Sequence, residues 1–191
     1  MAVVAIPRTT ILWQRIDVPG IEWCRTSPTP LGGRLDGVAL VDRDGEPFQL
    51  TYEIEVDEAA RTRRVAVEWR GGSHDGGIQL ESDGSGAWKL GGRPIFASPE
   101  ALDVDLGFSP VTNSLPVWRL GASLPVGESR EIRVAWLLFP ELEVVLGRQT
   151  YERLSGRTWR YRSECFEAEL EVGEDGLVDD YAGLWRVVSR R

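Results

Sequence analysis

Five polar side chains of catalytic or ligand-binding type fall within the seventeen residues from Asp103 to Arg119: Asp103, Asp105, Thr112, Asn113 and Arg119. Apolar neighbours surround them. Asp103 and Asp105 are two apart, so on a strand they share one face while Val104 and Leu106 share the other. Carboxylates that close couple, and the pKa of one rises. Such a pair could do acid/base work, including cleavage of a glycosidic bond. The same carboxylates could equally anchor neighbouring loops by accepting backbone N–H groups or the planar fork of Arg119. Structural anchoring is the simplest reading, ligand contact the next and catalysis the last. Around them, Ser109-Pro110 disfavours helix, Thr112-Asn113 suits a turn, and Leu115-Pro116-Val117 predicts a return to extended chain.

Other catalytic constellations fail on composition or spacing. His74 is the only histidine. It lies in the turn-like Gly71–Gly77 segment, where an exposed loop residue is expected, and a nucleophilic triad has no second histidine to use. Gly84-Ser85-Gly86 lacks the third glycine of a dinucleotide fingerprint, because Lys89 stands there. Asp42-Arg43-Asp44-Gly45 opens like a calcium loop but is too short, and reads as a hairpin turn. The cysteines, Cys24 and Cys165, are far apart and predict two buried free thiols rather than a metal site or a disulfide. No cofactor is implied, and the expectation is a protein that is not an enzyme.

Composition narrows the partners. The 191 residues carry a formal net charge of −8, which argues against nucleic acid and anionic membrane surfaces. Of the 22 basic residues only Lys89 is lysine, a compositional bias that weakens arginine content as a sign of anion binding. No stretch reaches the length of a membrane span, so stable membrane insertion is not expected. The N-terminus lacks a signal-like apolar region, which predicts a cytoplasmic protein.

The elements that must position these residues are strands. Leu50, Tyr52, Ile54 and Val56 alternate with polar residues after Phe48, the pattern of a half-buried strand. The alternation recurs at Val65/Val67/Trp69, Ile78/Leu80, Trp88/Leu90, Ile132/Val134/Trp136/Leu138 and Phe166/Ala168/Leu170/Val172. Asp44-Gly45, Asp83-Gly84 and Asp175-Gly176 separate such runs, as tight hairpins prefer. Helix is confined to one turn at Pro99–Leu102. The fold class is therefore all-β: an antiparallel roll of a dozen or more strands with little helix. One domain over residues 1–191 is expected, and an echo between Phe48–Asp57 and Phe166–Asp175 is compatible with two fused β-halves.

The order Asp103-Val104-Asp105, Pro110-Val111-Thr112-Asn113-Ser114-Leu115-Pro116, Arg119-Leu120 resembles the signature of the putative glycolipid-binding family, formerly a bacterial domain of unknown function. Weaker matches run in order along the chain. Trp13, Pro19–Glu22, Gly37 (as the opening of a strand), Phe48 and Tyr52 precede the core. Asp83–Trp88 matches a glycine-rich hairpin, and Tyr151, Phe166 and Gly176–Tyr181 close the pattern. The family has Thr-Pro-Phe-Thr-Asn and a second arginine where this chain has Ser109, Val111 and Trp118. The resemblance implies a spliced β-roll curled around an apolar cavity, similar to bacterial lipoprotein carriers that work outside the cytoplasm. It implies binding or carriage of a lipid or glycolipid-like small molecule, with Asp103, Asp105, Thr112, Asn113, Arg119 and Tyr181 as ligand-binding positions. The alternatives are a carbohydrate-acting hydrolase built on the Asp103/Asp105 pair and a protein-interaction module using a sheet edge.

Overall fold

A computed structural model describes residues 3–72 and 74–191. They form fifteen strands in one sheet. The first eight strands run as an antiparallel meander: β1 (Thr9–Arg15), β2 (Gly20–Thr29), β3 (Gly32–Arg43), β4 (Glu46–Asp57), β5 (Thr62–Gly71), β6 (Gly76–Ser82), β7 (Ala87–Leu90) and β8 (Arg93–Ala97). β9 (Ala101–Leu106) follows at once but lies at the other end of the strand order. After a helical crossover come β10 (Ser129–Leu137), β11 (Val144–Arg153), β12 (Thr158–Arg162), β13 (Glu167–Val172), β14 (Val178–Tyr181) and β15 (Trp185–Arg190). β15 pairs antiparallel with β1, which joins the two runs. The edge strands β8 and β9 are thus chain neighbours, and the sheet curls into a nearly closed roll. Two bonds draw its ends together: Trp88 Nε1 donates to the Ala101 carbonyl (2.7 Å) and the Val104 amide to Thr62 Oγ1 (3.1 Å).

The strand alternation is realised in most of the packing; in β10 it shifts after Val134, so that Ala135 and Leu137 are buried, Trp136 is half-buried and Leu138 lies beyond the strand. Phe48, Leu50, Tyr52, Ile54, Val56, Val65, Val67, Trp69, Leu80, Trp88, Ile132, Val134, Ala168, Leu170 and Val172 are all buried in one apolar core. The Asp44-Gly45 hairpin has positive φ at both residues, 57° and 85°, the backbone that a two-residue turn of matching twist requires. Asp42 Oδ1 accepts from the Gly45 amide at 2.9 Å, as a turn rather than a calcium loop. His74 is exposed, and its carbonyl accepts a bond from Trp69 Nε1.

Several expectations are corrected. The run Leu115-Pro116-Val117 is not extended: a 3₁₀ turn, Val111–Asn113, leads into α1, Ser114–Gly121. Proline is tolerated there because it occupies the first helical turn, where amides have no intrahelical acceptor. The short apolar sequence hides this helix, since buried on nearly every face it has no amphipathic stripe to read. Pro99–Leu102 is not a helical turn, because β9 begins at Ala101. Gly37 does not open a strand but sits in the middle of β3. Both cysteines are free, but only Cys24 is buried; Cys165 is exposed. Phe166 precedes β13 and is exposed rather than facing the core.

The interior is occupied by the central motif itself. Residues from β9 through Trp118 are buried almost without interruption. They bond to both halves of the roll: Ser109 to Glu22 on β2, Asn113 to Tyr151 on β11, and Trp118 to the Asp175 carbonyl before β14. Phe108 packs against Tyr52 and Phe139. The roll thus wraps a polar-studded segment rather than a purely apolar space.

Candidate ligand-binding cavity

Each polar residue of the motif has a distinct partner, and those partners decide what it can do. Asp103 on β9 is fully buried and receives Arg119 of α1 through two bonds, Nε–Oδ1 at 3.2 Å and Nη2–Oδ2 at 2.5 Å. Burial disfavours the Arg119 charge, but the attraction of Asp103 and its hydrogen bonds outweigh this and hold the arginine pKa above its ordinary value. The two-pronged pairing ties the helix to the strand. Asp105, two residues on, has separate partners: Gln149 Nε2 of β11 donates at 2.5 Å to one oxygen and Thr112 Oγ1 at 3.3 Å to the other. Burial raises the Asp105 pKa to about 6, against the opposing pull of those two bonds. The aspartates therefore do not hydrogen-bond as a dyad.

A third buried carboxyl lies on β2. Glu22 is fully buried, and its Oε1 accepts from Tyr52 Oη and Ser109 Oγ, both at 2.6 Å. Burial raises its pKa to about 8, although both hydroxyls and the Arg15 charge favour the ionised form. Gly37 makes this contact possible. It lies directly between Cys24 on β2 and Tyr52 on β4, and a Cβ there would stand 2.1 Å from the tyrosine ring. The missing side chain lets Tyr52 cross β3 to reach Glu22.

Beside these groups is an inner cavity of about 340 Å³. Its lining brings together Asp105, Ser109 and Asn113, the neighbouring Trp136, Arg15 with Trp185, and an aromatic wall of Tyr161, Tyr181 and Phe166. Ser163, Glu164 and Cys165 border its rim. The aromatic rings are in sequence: Tyr151 and Tyr161 centroids are 5.4 Å apart, Tyr161 and Tyr181 6.0 Å, Tyr181 and Phe166 6.1 Å. Burial pushes the Tyr151 and Tyr181 pKa values well up, so both hydroxyls stay protonated as donors. Asn113 Nδ2 donates to Tyr151 Oη at 2.9 Å, linking the motif to this wall. Arg15 is nine-tenths buried; its Nε and Nη2 bond Asp17 at 2.8 and 3.1 Å, and its guanidinium carbon lies 5.4 Å from the Trp185 ring centroid.

Of the six positions singled out in the sequence, Asp105, Asn113 and Tyr181 border the cavity. Thr112 stands behind Asp105, and Asp103 and Arg119 pair with each other. Arg15, Gln149, Tyr161 and Trp185 were not foreseen, Trp136 and Phe166 were read as inward strand positions, and Glu22 and Tyr151 were visible only as matches to the family pattern. Glu22 has a local signal nonetheless: in Ile21-Glu22-Trp23-Cys24 the exposed positions are the apolar ones, and the acid points inward.

The comparisons with known proteins agree with this architecture. A crystal structure of a DUF1089 family protein from Pseudomonas aeruginosa is similar at a TM-score of 0.76 and 31% identity, covering 86% of this chain and 91% of that one. A beta-barrel-like protein of domain of unknown function DUF1849, from Brucella abortus, shares the fold at a TM-score of 0.58 and 10% identity, covering 99% of this chain and 98% of its own. No curated protein matches. The family model described as "Putative glycolipid-binding" matches residues 10–187, nearly the whole chain. With the Asp103–Arg119 motif and the rolled sheet in place, the chain belongs to the family of that description.

Proposed function

We propose that the protein binds an amphiphile without transforming it, seating the head group in the cavity between Asp105 and the Tyr161–Tyr181–Phe166 wall. The observation that carries this reading is the cavity's mixed lining, which brings aromatic rings and buried polar groups to one space. Its volume, about 340 Å³, is at the small end for ligand sites, so it suits a head group rather than a whole lipid. Phe166, 39% exposed at the edge, offers an apolar path for the tail. The family description supports a glycolipid-like ligand. Binding is favoured over hydrolysis because the candidate carboxylates are committed elsewhere: Asp103 to Arg119, and both oxygens of Asp105 to Gln149 and Thr112.

Cys165 provides a local probe, because it is exposed at the rim while Cys24 is buried. Octyl β-D-glycosides, added below their micellar concentrations, are expected to slow modification of Cys165 by a thiol reagent in a saturable way. Phe166→Ala should shift the half-protection concentration up about fivefold or more, the effect of losing one aromatic contact. An unchanged modification rate at every concentration would overturn the reading.

A further inference from the structure

The unsatisfied hydrogen-bonding capacity at the cavity wall is of one kind. Among the described residues, Arg15 Nη1 and Trp136 Nε1 are buried donors with no partner, and both residues border the cavity. The buried acceptors without a partner, Glu22 Oε2 and Gln149 Oε1, belong to residues behind the wall rather than at it. Asp105, the buried carboxyl at the wall, already has a donor on each oxygen. Glu164 also borders the cavity, but on the exposed rim where water screens it.

Buried donors are costly to leave unmade, and native interiors rarely do so without reason. Arg15 is the more telling of the two. Asp17 occupies only two corners of its guanidinium, Nε and Nη2, and the plane is held against Trp185. The third corner is thereby fixed in orientation, which is the preorganised form that recognises a carboxylate or phosphate oxygen. Trp136 contributes a second N–H, close to Gly107 of the cavity lining: a Cβ on that glycine would be only 3.4 Å from Trp136 Nε1. The wall therefore asks its ligand for acceptors.

Resting on the amphiphile-binding reading above, we propose that the head group carries an oxyanion, a carboxylate or phosphate, held by Arg15 Nη1 and Trp136 Nε1. The cavity would then discriminate between acidic and neutral sugar head groups of one skeleton. Charge-assisted bonds of this type correspond to about tenfold or more in affinity.

The test is calorimetric titration with two matched probes, octyl β-D-glucuronide and octyl β-D-glucoside, which differ only in a carboxylate against a hydroxymethyl group. The glucuronide is expected to bind about tenfold tighter or better. Trp136→Phe keeps an aromatic ring but removes the N–H, and should reduce that preference severalfold, the glucuronide losing more affinity than the glucoside. Arg15→Gln should abolish the preference; if it does not fold, Arg15→Lys, which keeps charge but loses the fork, should reduce it. Equal binding of the two probes to the wild type, or a preference untouched by Trp136→Phe, overturns the oxyanion proposal and leaves amphiphile binding standing. Binding of neither probe overturns both. Methyl β-D-glucuronide locates the source of the anion: binding as tight as the octyl compound would keep the oxyanion and discard the amphiphile.

Discussion

At the scale of single residues, the cavity's surroundings are unusual for two buried carboxyls with raised pKa values, Glu22 at about 8 and Asp105 at about 6. Both shifts come chiefly from burial, so the fold prefers each group protonated. The sign for stability follows. An unfolded glutamate releases its proton near 4.5, whereas folded Glu22 keeps it until about 8. Folding stability therefore declines as pH rises from about 4.5 to about 8 and then levels, with Asp105 contributing a similar decline that ends near 6. Glu22→Gln mimics the protonated acid and can still accept from Tyr52 and Ser109. Its melting temperature should exceed that of the wild type at pH 8, and its decline between pH 6 and 8 should be nearly flat. Parallel melting curves for the two proteins across that range would show that Glu22 is ionised in the fold. The sequence makes Asp103, Asp105 and Arg119 easy to find because polar residues stand close together among apolar ones. Arg15 and Glu22 come from the neighbouring strands β1 and β2 and Gln149 from β11, all far along the chain from the motif, and only the fold brings them near it.

At the scale of elements, the strands are legible and the helix is not. Alternation such as Leu50/Tyr52/Ile54/Val56 predicts both the strand and its inward face, because period-two burial leaves a plain mark. α1 has eight residues, a proline in its first turn and burial on most sides, so neither periodicity nor a cap announces it. What holds it is tertiary: Arg119 bridges it to Asp103 on β9, with side-chain exposures of 15% and 0%. Removing one member of such a pair leaves the other charge buried without compensation, at a cost of about 3–5 kcal/mol. Arg119→Ala should lose roughly that much in denaturant unfolding. The double substitution Arg119→Met with Asp103→Leu should recover most of it, since apolar replacements of a buried pair are often neutral. A single alanine variant of unchanged stability but weakened ligand affinity would instead make Arg119 a head-group contact.

At the scale of the whole molecule, the sheet is a long meander whose ends nearly meet, filled by β9 and the segment that joins it to β10. This arrangement puts a polar network where a carrier would hold only apolar space, and the cavity beside that network is small, about 340 Å³. The all-β class and the roll follow from strand alternation together with the family pattern. The cavity does not, because its walls come from β1, β9, β10, β12, β14 and β15 at once. No helix among the described residues is long and apolar enough to cross a membrane.

An amphiphile seated in this cavity should survive purification. Native mass spectrometry of protein purified from bacterial cells, under gentle ionisation and followed by organic extraction, tests it most directly. The expected result is an adduct at one per chain that organic solvent releases as a lipid or glycolipid and that Phe166→Ala carries at lower occupancy. A bare polypeptide mass, both as purified and after incubation with a bacterial lipid extract, would contradict it.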